Sequence, residues 1–423
     1  MATQAKRQYD SPHQFEPLMP GAPAIGGLLE RASDLTRAAG SLTSSAAQAT
    51  SVELRQLLRA MNSYYTNRME GDHTRPSDIE RALADDFSAN ADLARKQRLA
   101  VLHMAAERDC EQVLDYSGLD DNEIVRGLYE SGSLIWLHYE LFSQLPESDL
   151  RIAGSGRLQP GTLRERPVKV GIHEAPTPES IDGFLVRWSE VYGGVRRGEA
   201  SIVAAAAAHH RLTWVHPFLD GNGRVARLHT HLLFHSMGLT NGLWSPLRGF
   251  ARSQDRYMAL LQAADEPRRG DYDGRGNLTQ SGLVDWIRYV LDTCIDQIEF
   301  MSRQLDVRAM RDRLSAALLF EESVVKSGVR TQALVPLHYL FATQDDLGRA
   351  DFKTMTGLGE RVATEMLSSL VARGFLKSDT PYGNLRFAIP RHALRFYFPA
   401  LWPEAEQDEA LLESERRSGR TAG

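Results

Sequence analysis

The densest group of reactive side chains in the sequence is the stretch His216–Arg227, which reads HPFLDGNGRVAR. A helix is predicted to end near Val215 and another to begin near Asn222, so the residues between them lie at a helix N-terminus. Unpaired backbone amides and the helix dipole favour an anion at such a position. The pattern therefore predicts a phosphate-binding loop.

Five residues of this loop supply complementary contacts. Gly221 and Gly223 allow the backbone to approach a phosphate closely, and Asn222 adds a side-chain donor. Arg224 and Arg227 are three positions apart on the new helix and share one face. Two guanidinium groups there suit a polyphosphate tail.

Two other side chains point to catalysis rather than to binding. Asp220 is a hard oxygen ligand of the kind that Mg²⁺ takes alongside substrate phosphates. His216 can accept a proton near neutral pH. Each residue alone is typical of a capped helix with surface arginines and a structural histidine, but the full set at this spacing favours phosphate chemistry.

The stretch resembles the core motif of the Fic (filamentation induced by cyclic AMP) family, HxFx(D/E)GNGRxxR, at every defined position. The resemblance implies a protein adenylyltransferase that transfers AMP from ATP to a Ser, Thr or Tyr hydroxyl of a target protein. It makes His216 the general base and Asp220 the Mg²⁺ ligand. It assigns the ATP phosphates to Gly221, Asn222, Gly223, Arg224 and Arg227. The related Doc toxins, which transfer phosphate, carry a lysine where Gly223 stands, so Gly223 indicates nucleotidyl transfer.

Two further segments fit the same resemblance. Gly161–Arg164 and the residues after it are similar to the flap hairpin of Fic proteins, which docks a target segment by adding a strand. A short exposed strand is predicted there from the alternation of Val168, Val170 and Ile172, although an ordinary surface hairpin has the same pattern. Tyr257 lies where the family lines the adenine pocket, and core packing accounts for Tyr257 equally well.

The segment Thr66–Gly71, which reads TNRMEG, fits the (S/T)xxxE(G/N) pattern of the inhibitory helix in one Fic subclass. The resemblance implies that Glu70 pairs with Arg227 and takes the place of the ATP γ-phosphate. The nucleotide then binds with its α-phosphate misaligned. Some relatives also use this glutamate to activate water for AMP removal, so a Fic enzyme acting chiefly in de-AMPylation is an alternative.

The C-terminal part predicts a different fold. Helices over Asp351–Met355 and Glu360–Arg373 would form a helix-turn-helix, and strands over 375–378 and 385–389 would form the wing of a winged helix. The cations available for a phosphate backbone are Arg361, Lys377, Arg386 and Arg391. Nearby acidic residues dilute this charge, so DNA and protein both stay open as partners. A winged-helix DNA-binding regulator with a nucleotide-sensing Fic domain is the alternative from another function class.

The predicted fold class is mainly α: a Fic helical core with a small β-hairpin flap, followed by a C-terminal winged helix-turn-helix domain. In chain order we expect a mostly flexible N-terminal segment, a helical region with the inhibitory helix, the Fic core, the winged helix and a charged tail. Their predicted bounds are 1–50, 51–150, 151–305, 306–402 and 403–423.

Composition limits the other function classes. The 423 residues include 49 Lys and Arg against 55 Asp and Glu, and a net charge of −6 gives no whole-chain basic field for nucleic acid. Two cysteines cannot supply a disulfide framework or a multi-cysteine zinc site. No apolar run approaches the roughly 20 residues that span a bilayer. We therefore expect no membrane partner and a cytoplasmic location, with a homodimer left open.

A histidine pair follows the motif on its helix. His231 and His235 are four residues apart, a spacing that can bind metal, but no HExxH pattern accompanies them. Because apolar residues lie between them, structural histidines are the favoured interpretation.

Overall fold

The computed structural model describes residues 8–45, 48–152, 156–195, 198–343 and 345–401. The chain divides into two compact units. The first contains the residues up to Gly40 together with Arg59–Ile298, and the second contains Ser41–Leu58 and the residues from Glu299 onward. The predicted tail at 403–423 lies outside the described residues.

Helices dominate the described residues, as predicted. The α-helices are α1 (Gly26–Ser45), α2 (Gln48–Met69), α3 (Pro76–Leu83), α4 (Ala91–Asp115), α5 (Asp121–Leu128), α6 (Ser131–Phe142), α7 (Ile181–Tyr192), α8 (Glu199–Val215), α9 (Asn222–Ser236), α10 (Leu247–Arg252), α11 (Gln254–Ala264), α12 (Gln280–Gln304), α13 (Val307–Phe320), α14 (Leu334–Thr343), α15 (Arg349–Thr356), α16 (Glu360–Ala372) and α17 (Leu394–Tyr397). The strands form three antiparallel hairpins, β1 (Arg151–Ile152) with β2 (Gly156–Arg157), β3 (Lys169–Val170) with β4 (His173–Glu174), and β5 (Leu376–Lys377) with β6 (Arg386–Phe387).

Helix α8 belongs to the core of the first unit because its sequence is apolar on nearly every side. The five alanines Ala204–Ala208 are fully buried, and such small side chains let neighbouring helices approach closely. Helix α8 packs against α7 and α9, and α9 packs in turn against α4, α5 and α6. The helix that carries the two motif arginines is thus held by four others.

The N-terminal segment is more ordered than expected. Residues 1–50 are predicted to be mostly flexible, yet α1 covers twenty of them. Before α1, Phe15 and Leu18 are buried, and Tyr192 donates its hydroxyl hydrogen to the Leu18 carbonyl at 2.7 Å. Phe15 also meets Phe184 edge-on at a centroid distance of 5.0 Å. A few well-placed apolar side chains therefore order a segment of low overall hydrophobicity.

The second unit contains a helix–turn–helix followed by a hairpin at the predicted places. Helix α15 ends at Gly357, whose left-handed backbone (φ 68°) turns the chain into α16. The hairpin pairs Leu376 with Phe387, and its strands are two residues long, shorter than predicted.

The boundary between the units differs from the predicted one. It falls between Ile298 and Glu299, inside α12, rather than at 305/306. The predicted helical region (51–150) and Fic core (151–305) also fall for the most part in one unit. Capping residues mark where a helix ends, but they carry no signal for a change of packing partners within a continuous helix.

Candidate active site

The loop between α8 and α9 is shaped by two left-handed residues. His216 ends α8 with φ 51°, and Gly221 precedes α9 with φ 80°. A Cβ on Gly221 would overlap the ring of Phe142, so only glycine fits this position. The first amides of α9 have no acceptor within the helix, and the helix dipole adds positive charge there. The predicted anion-favouring arrangement is therefore present.

Asn222 closes this loop on itself. Its Oδ1 accepts from the Phe218 amide at 2.9 Å, and its Nδ2 donates to the Phe218 carbonyl at 2.8 Å. An amide nitrogen carries two hydrogens, and this bond uses one of them. The predicted contact between Asn222 and phosphate stays a prediction, beside the backbone amides at the start of α9.

The imidazole of His216 is held in one neutral tautomer. Its Nδ1 donates to the carbonyl oxygen of Thr213 at 3.3 Å, which leaves Nε2 without a proton. Burial lowers the pKa of His216 to about 4, with smaller decreases from the charges of Arg164 and His173. His216 is therefore neutral at pH 7, and its Nε2 can accept a proton.

The predicted contact between Glu70 and Arg227 is present. Glu70 follows the last residue of α2, and its carboxylate pairs with the guanidinium of Arg227, which is buried. Thr66, one turn earlier, accepts from Arg227 Nε through its hydroxyl at 2.7 Å and from Nη2 through its carbonyl at 3.3 Å. The Thr and Glu of the (S/T)xxxE(G/N) pattern thus enclose the same guanidinium.

Glu70 is ionised in this environment. Burial opposes the charge, but the guanidinium groups of Arg227 and Arg224 outweigh it and hold the pKa of Glu70 below its ordinary value. A Cβ on Gly223 would overlap the Glu70 carboxylate and approach Arg227. Glycine at position 223 is therefore needed for this contact.

A second carboxylate, which was not predicted from the sequence, pairs with the other motif arginine. Asp72 is buried and pairs with Arg224, while Arg95 donates to the other oxygen of Asp72 at 2.6 Å. Arg224 Nε also donates to Asn67 Oδ1 at 3.0 Å. Two acids at positions 70 and 72 thus meet two arginines one turn apart on α9.

Asp220 is exposed in the loop that precedes α9. Its Oδ1 accepts from the Gly221 amide at 2.7 Å, and no partner for its Oδ2 is found among the described residues. The carboxylate is thus oriented by one short local bond and keeps one oxygen for a ligand.

The predicted flap hairpin is present, and its turn falls inside the segment that was predicted as one short strand. Val170 in β3 lies opposite His173 in β4, so Ile172 belongs to the turn and Val168 precedes β3. The single strand is wrong because Gly171, with φ 59°, reverses the chain. Val170 and Ile172 are 40% and 71% exposed. Their apolar side chains remain accessible beside a short strand pair.

Arg164 fastens the segment before this hairpin to the end of α8. Its Nε donates to the His216 carbonyl at 2.7 Å, and its Nη2 donates to the Pro176 carbonyl at 2.6 Å. Its own amide donates to the Pro217 carbonyl at 2.9 Å. Burial lowers the pKa of Arg164 to about 10, so the guanidinium is still charged at pH 7.

A cavity of about 290 Å³ collects most of the predicted site residues. The predicted residues in its lining are Glu70, Val170, Ile172, His216, Asn222, Gly223, Arg227 and Tyr257. Val168, Asp220, Gly221 and Arg224 are outside this lining. The hairpin, the histidine and one motif arginine therefore face a shared space.

Tyr257 lies at this cavity and is buried. Its hydroxyl lies 2.8 Å from Nε2 of His209, whose Nδ1 lies 2.7 Å from the Thr230 hydroxyl. These contacts connect α11 to α8 and α9, so Tyr257 has a packing role here, and its place beside adenine stays a prediction.

The histidine pair of α9 takes two separate partners. His231 Nε2 lies 2.8 Å from Glu111 and 3.7 Å from Glu107, whereas His235 bonds Asp115 at 2.7 Å. Glu107, Glu111 and His231 are close enough together to hold a metal ion. Their carboxylates, however, also pair with two donors of α2, Arg59 and Asn62. The cluster is thus a buried ion network joining α2, α4 and α9.

Comparison with known proteins supports the resemblance to the Fic family. Residues 129–234 match the family model described as Fic/DOC family. A relative from Drosophila mojavensis named Protein adenylyltransferase Fic is 26% identical over 165 residues, which is 37% of this chain and 32% of that protein. The protein of the same name from Drosophila ananassae is 25% identical over an equal length. The matched region spans about a third of these relatives' own length.

One solved structure is similar in fold over most of the chain. A Fic family protein from Desulfovibrio desulfuricans G20 gives a TM-score of 0.50 at 16% identity, covering 88% of this chain and 98% of that one. Residues 129–234 therefore match the Fic/DOC family, and the fold of the chain is similar to that of this Fic family structure.

Among the described residues, none of the helices combines the length and the apolar character needed to cross a bilayer.

Proposed function

We propose that the chain is a protein adenylyltransferase that transfers AMP from ATP to a Ser, Thr or Tyr hydroxyl of a target protein. One observation carries the proposal. His216, whose Nε2 is unprotonated, lines a cavity together with Arg227 and the exposed hairpin residues Val170 and Ile172. A base, a phosphate-binding cation and a docking edge for a peptide are what this reaction requires.

In the proposed reaction, Nε2 of His216 takes the proton of the target hydroxyl while the hydroxyl oxygen attacks the α-phosphorus of ATP. A bond forms between that oxygen and the α-phosphorus. The bond from the α-phosphorus to the bridging oxygen of the β-phosphate breaks, and pyrophosphate leaves. The amides at the start of α9, together with Arg224 and Arg227, bind the phosphate charge and orient the chain of phosphates.

We propose Mg²⁺ as the accompanying metal, with Asp220 as its protein ligand. The fit rests on the free Oδ2 of Asp220 and on the bond from the Gly221 amide that orients the carboxylate. One carboxylate with phosphate oxygens and water is a donor set that Mg²⁺ commonly takes. The chemistry that a bound ion supplies is neutralisation of charge on the phosphates.

We also propose that the enzyme is autoinhibited by the end of α2. Glu70 competes with an ATP phosphate for Arg227, and Asp72 competes in the same way for Arg224. Both arginines are buried against these acids, so an incoming phosphate must replace a charge-assisted bond rather than meet a free guanidinium.

The deciding experiment incubates the full chain and a cell lysate with ATP labelled at the α-phosphate. Label transferred to protein, with Glu70→Gly faster than wild type and Glu70→Gly/His216→Ala inactive, supports the proposal. ATP binding without any transfer by Glu70→Gly contradicts it. If Glu70→Gly accumulates label that the wild-type protein then removes, the chain acts chiefly in AMP removal, with Glu70 needed for that step.

For the second unit we propose a winged helix that binds protein rather than DNA. The observation that favours this is internal pairing of its cations. Lys353 pairs with Glu360, Arg386 pairs with Asp379, and Arg361 lies 3.8 Å from Glu365. Salt-dependent retention on DNA or heparin, lost in an Arg361→Glu variant, would overturn this choice.

A further inference from the structure

A second histidine, His138 of α6, is hydrogen-bonded to two segments that the proposed reaction uses. Its Nδ1 accepts from the Gly161 amide at 2.8 Å, and its Nε2 lies 3.2 Å from the Asp220 carbonyl oxygen. Gly161 opens the segment that leads to the hairpin, and Asp220 belongs to the loop before α9. One imidazole therefore joins both segments.

The two partners fix the tautomer of this ring. An amide N–H only donates, so Nδ1 of His138 carries no proton. A carbonyl oxygen only accepts, so Nε2 carries the proton and donates to Asp220. The other neutral tautomer would lose both bonds, and a doubly protonated ring would lose the bond from Gly161.

Packing fixes the position of the ring. His138 is fully buried, stacks on Phe218 at a centroid distance of 4.1 Å and an interplanar angle of 9°, and contacts Phe142 at 4.9 Å. Because the ring cannot shift without losing these contacts, its two hydrogen bonds have a defined direction.

The position of Asp220 depends on the direction of the hydrogen bond from His138. Its carboxylate is exposed, and its one hydrogen bond among the described residues comes from the neighbouring Gly221 amide. The path of the Asp220 backbone therefore sets where the carboxylate lies. On the hairpin side, Gly161 has a left-handed backbone (φ 71°), and Arg164 three residues later is bonded to the His216 carbonyl.

We propose that His138 is a positioning residue for the adenylyl-transfer reaction. Its bond to the Asp220 carbonyl, donated from a ring that packing holds in place, sets the Asp220 carboxylate, and the Gly161 amide fixes the tautomer that donates this bond. This inference rests on the proposed function, and it assigns no contact between His138 and substrate.

Three substitutions of His138 remove its two hydrogen bonds singly or together. His138→Gln places an amide N–H donor near the position of Nε2 and loses the acceptor for Gly161. His138→Asn places an amide oxygen near the position of Nδ1 and loses the donor to Asp220. His138→Phe keeps a ring stacked on Phe218 and loses both bonds.

The test uses the full chain with Glu70→Gly as the parent and two measurements. The first is the Mg²⁺ concentration for half-maximal AMP transfer from α-labelled ATP. The second needs no activity: it is the gain in affinity for a fluorescent non-hydrolysable ATP analogue when Mg²⁺ is added. We expect His138→Asn and His138→Phe to shift both quantities about tenfold, the usual effect of one lost hydrogen bond. The His138→Gln variant should stay within about twofold of the parent.

Either of two results would overturn the inference. A Phe variant with the parent's Mg²⁺ dependence would reduce His138 to a packing residue, and a Gln variant as impaired as Asn would exclude the bond to Asp220. If Phe fails to fold, the comparison of Gln with Asn still decides, provided their melting temperatures agree. A parent that binds the analogue without transferring AMP contradicts the proposed function instead, and the binding measurement still tests His138.

Discussion

The Glu70 carboxylate pairs with the Arg227 guanidinium although 157 positions separate the two residues in the chain. The Arg227 guanidinium is buried, and its Nε also donates to the Thr66 hydroxyl at 2.7 Å. Under the proposed mechanism a phosphate of ATP needs the same guanidinium. Two anions therefore compete for one cation.

Removing the Glu70 carboxylate should activate AMP transfer. A hydrogen bond to a charged group contributes about 1.5–3 kcal/mol, so Glu70→Gly should raise transfer roughly ten- to a hundredfold at limiting ATP. The rate of α-labelled AMP incorporation measures this. Glu70→Gln, which keeps the size and removes the charge, is the matched control and should be activated as well. A Glu70→Gly protein no faster than wild type at any ATP concentration would exclude autoinhibition by this residue.

Asp72 should compete with ATP for Arg224 independently of Glu70. Added to Glu70→Gly, the change Asp72→Asn should lower the KM for ATP about fivefold, because one charge-assisted bond to Arg224 no longer competes. Asp78→Asn, at an acidic position on the neighbouring helix α3, is the control for altered net charge. A higher KM in the Asp72 variant would mean that Asp72 orients Arg224 for phosphate rather than blocking it.

The pH dependence should identify His216 as a base of low pKa. Since burial holds its pKa near 4, the imidazole stays unprotonated as pH falls from 8 to 6, and kcat/KM of Glu70→Gly should not decline through this range because of His216. The Glu70 charge raises the His216 pKa, so its removal moves the acid limb to still lower pH. An acid limb near 6.5 would contradict the described environment.

His216→Ala should cost about 10²–10⁴ in rate while ATP binding survives.

Asp220 should govern the metal dependence. Asp220→Ala should raise the Mg²⁺ requirement and lower AMP transfer together, with the fold intact, because the carboxylate is exposed and bonded only locally among the described residues. Asp220→Asn tests the charge at constant size and should show the same direction. Normal transfer by the Ala variant across a Mg²⁺ titration would rule out Asp220 as a ligand.

The buried cluster around His231 should act on stability. His231→Leu leaves Glu107 and Glu111 with fewer partners and should cost about 3 kcal/mol of unfolding free energy. His235→Leu, which breaks a more exposed pair with Asp115, should cost less than about 1 kcal/mol.

The neighbouring carboxylates raise the His231 pKa despite burial, so its stabilising effect is fully present below the ordinary value of 6.5. It is lost as pH rises through the raised value. Urea unfolding at a series of pH values measures this change. Equal destabilisation by the two variants, at all pH values, would contradict the assigned network.

The sequence was sufficient for the features encoded by local spacing. The positions of α8 and α9, the loop between them and the turn before α16 all follow from helix periodicity, glycine placement and capping. The pairing of Glu70 with Arg227 was accessible only through resemblance, because no local pattern links residues so far apart.

The missed features are long-range or depend on side-chain direction. Asp72 and His138 act through partners 152 and 82 positions away, which periodicity cannot reveal. Asn222 turns its amide back onto Phe218, a choice made by packing within the loop. The flap hairpin was predicted by resemblance, but its strand was drawn through Ile172 because alternation outweighed the glycine that reverses the chain.

The position of Glu70 at the end of a helix determines how much must move when inhibition is relieved. Glu70 follows Met69, the last residue of α2, whereas Arg59 and Asn62 of the same helix are bonded to Glu111 and Glu107. The last turn of α2 is bonded through Thr66 and Asn67 to the two motif arginines, so these bonds would change together with that of Glu70. Active and inhibited forms would then differ in a single helical turn, and the enzyme would exchange between them without exposing its core.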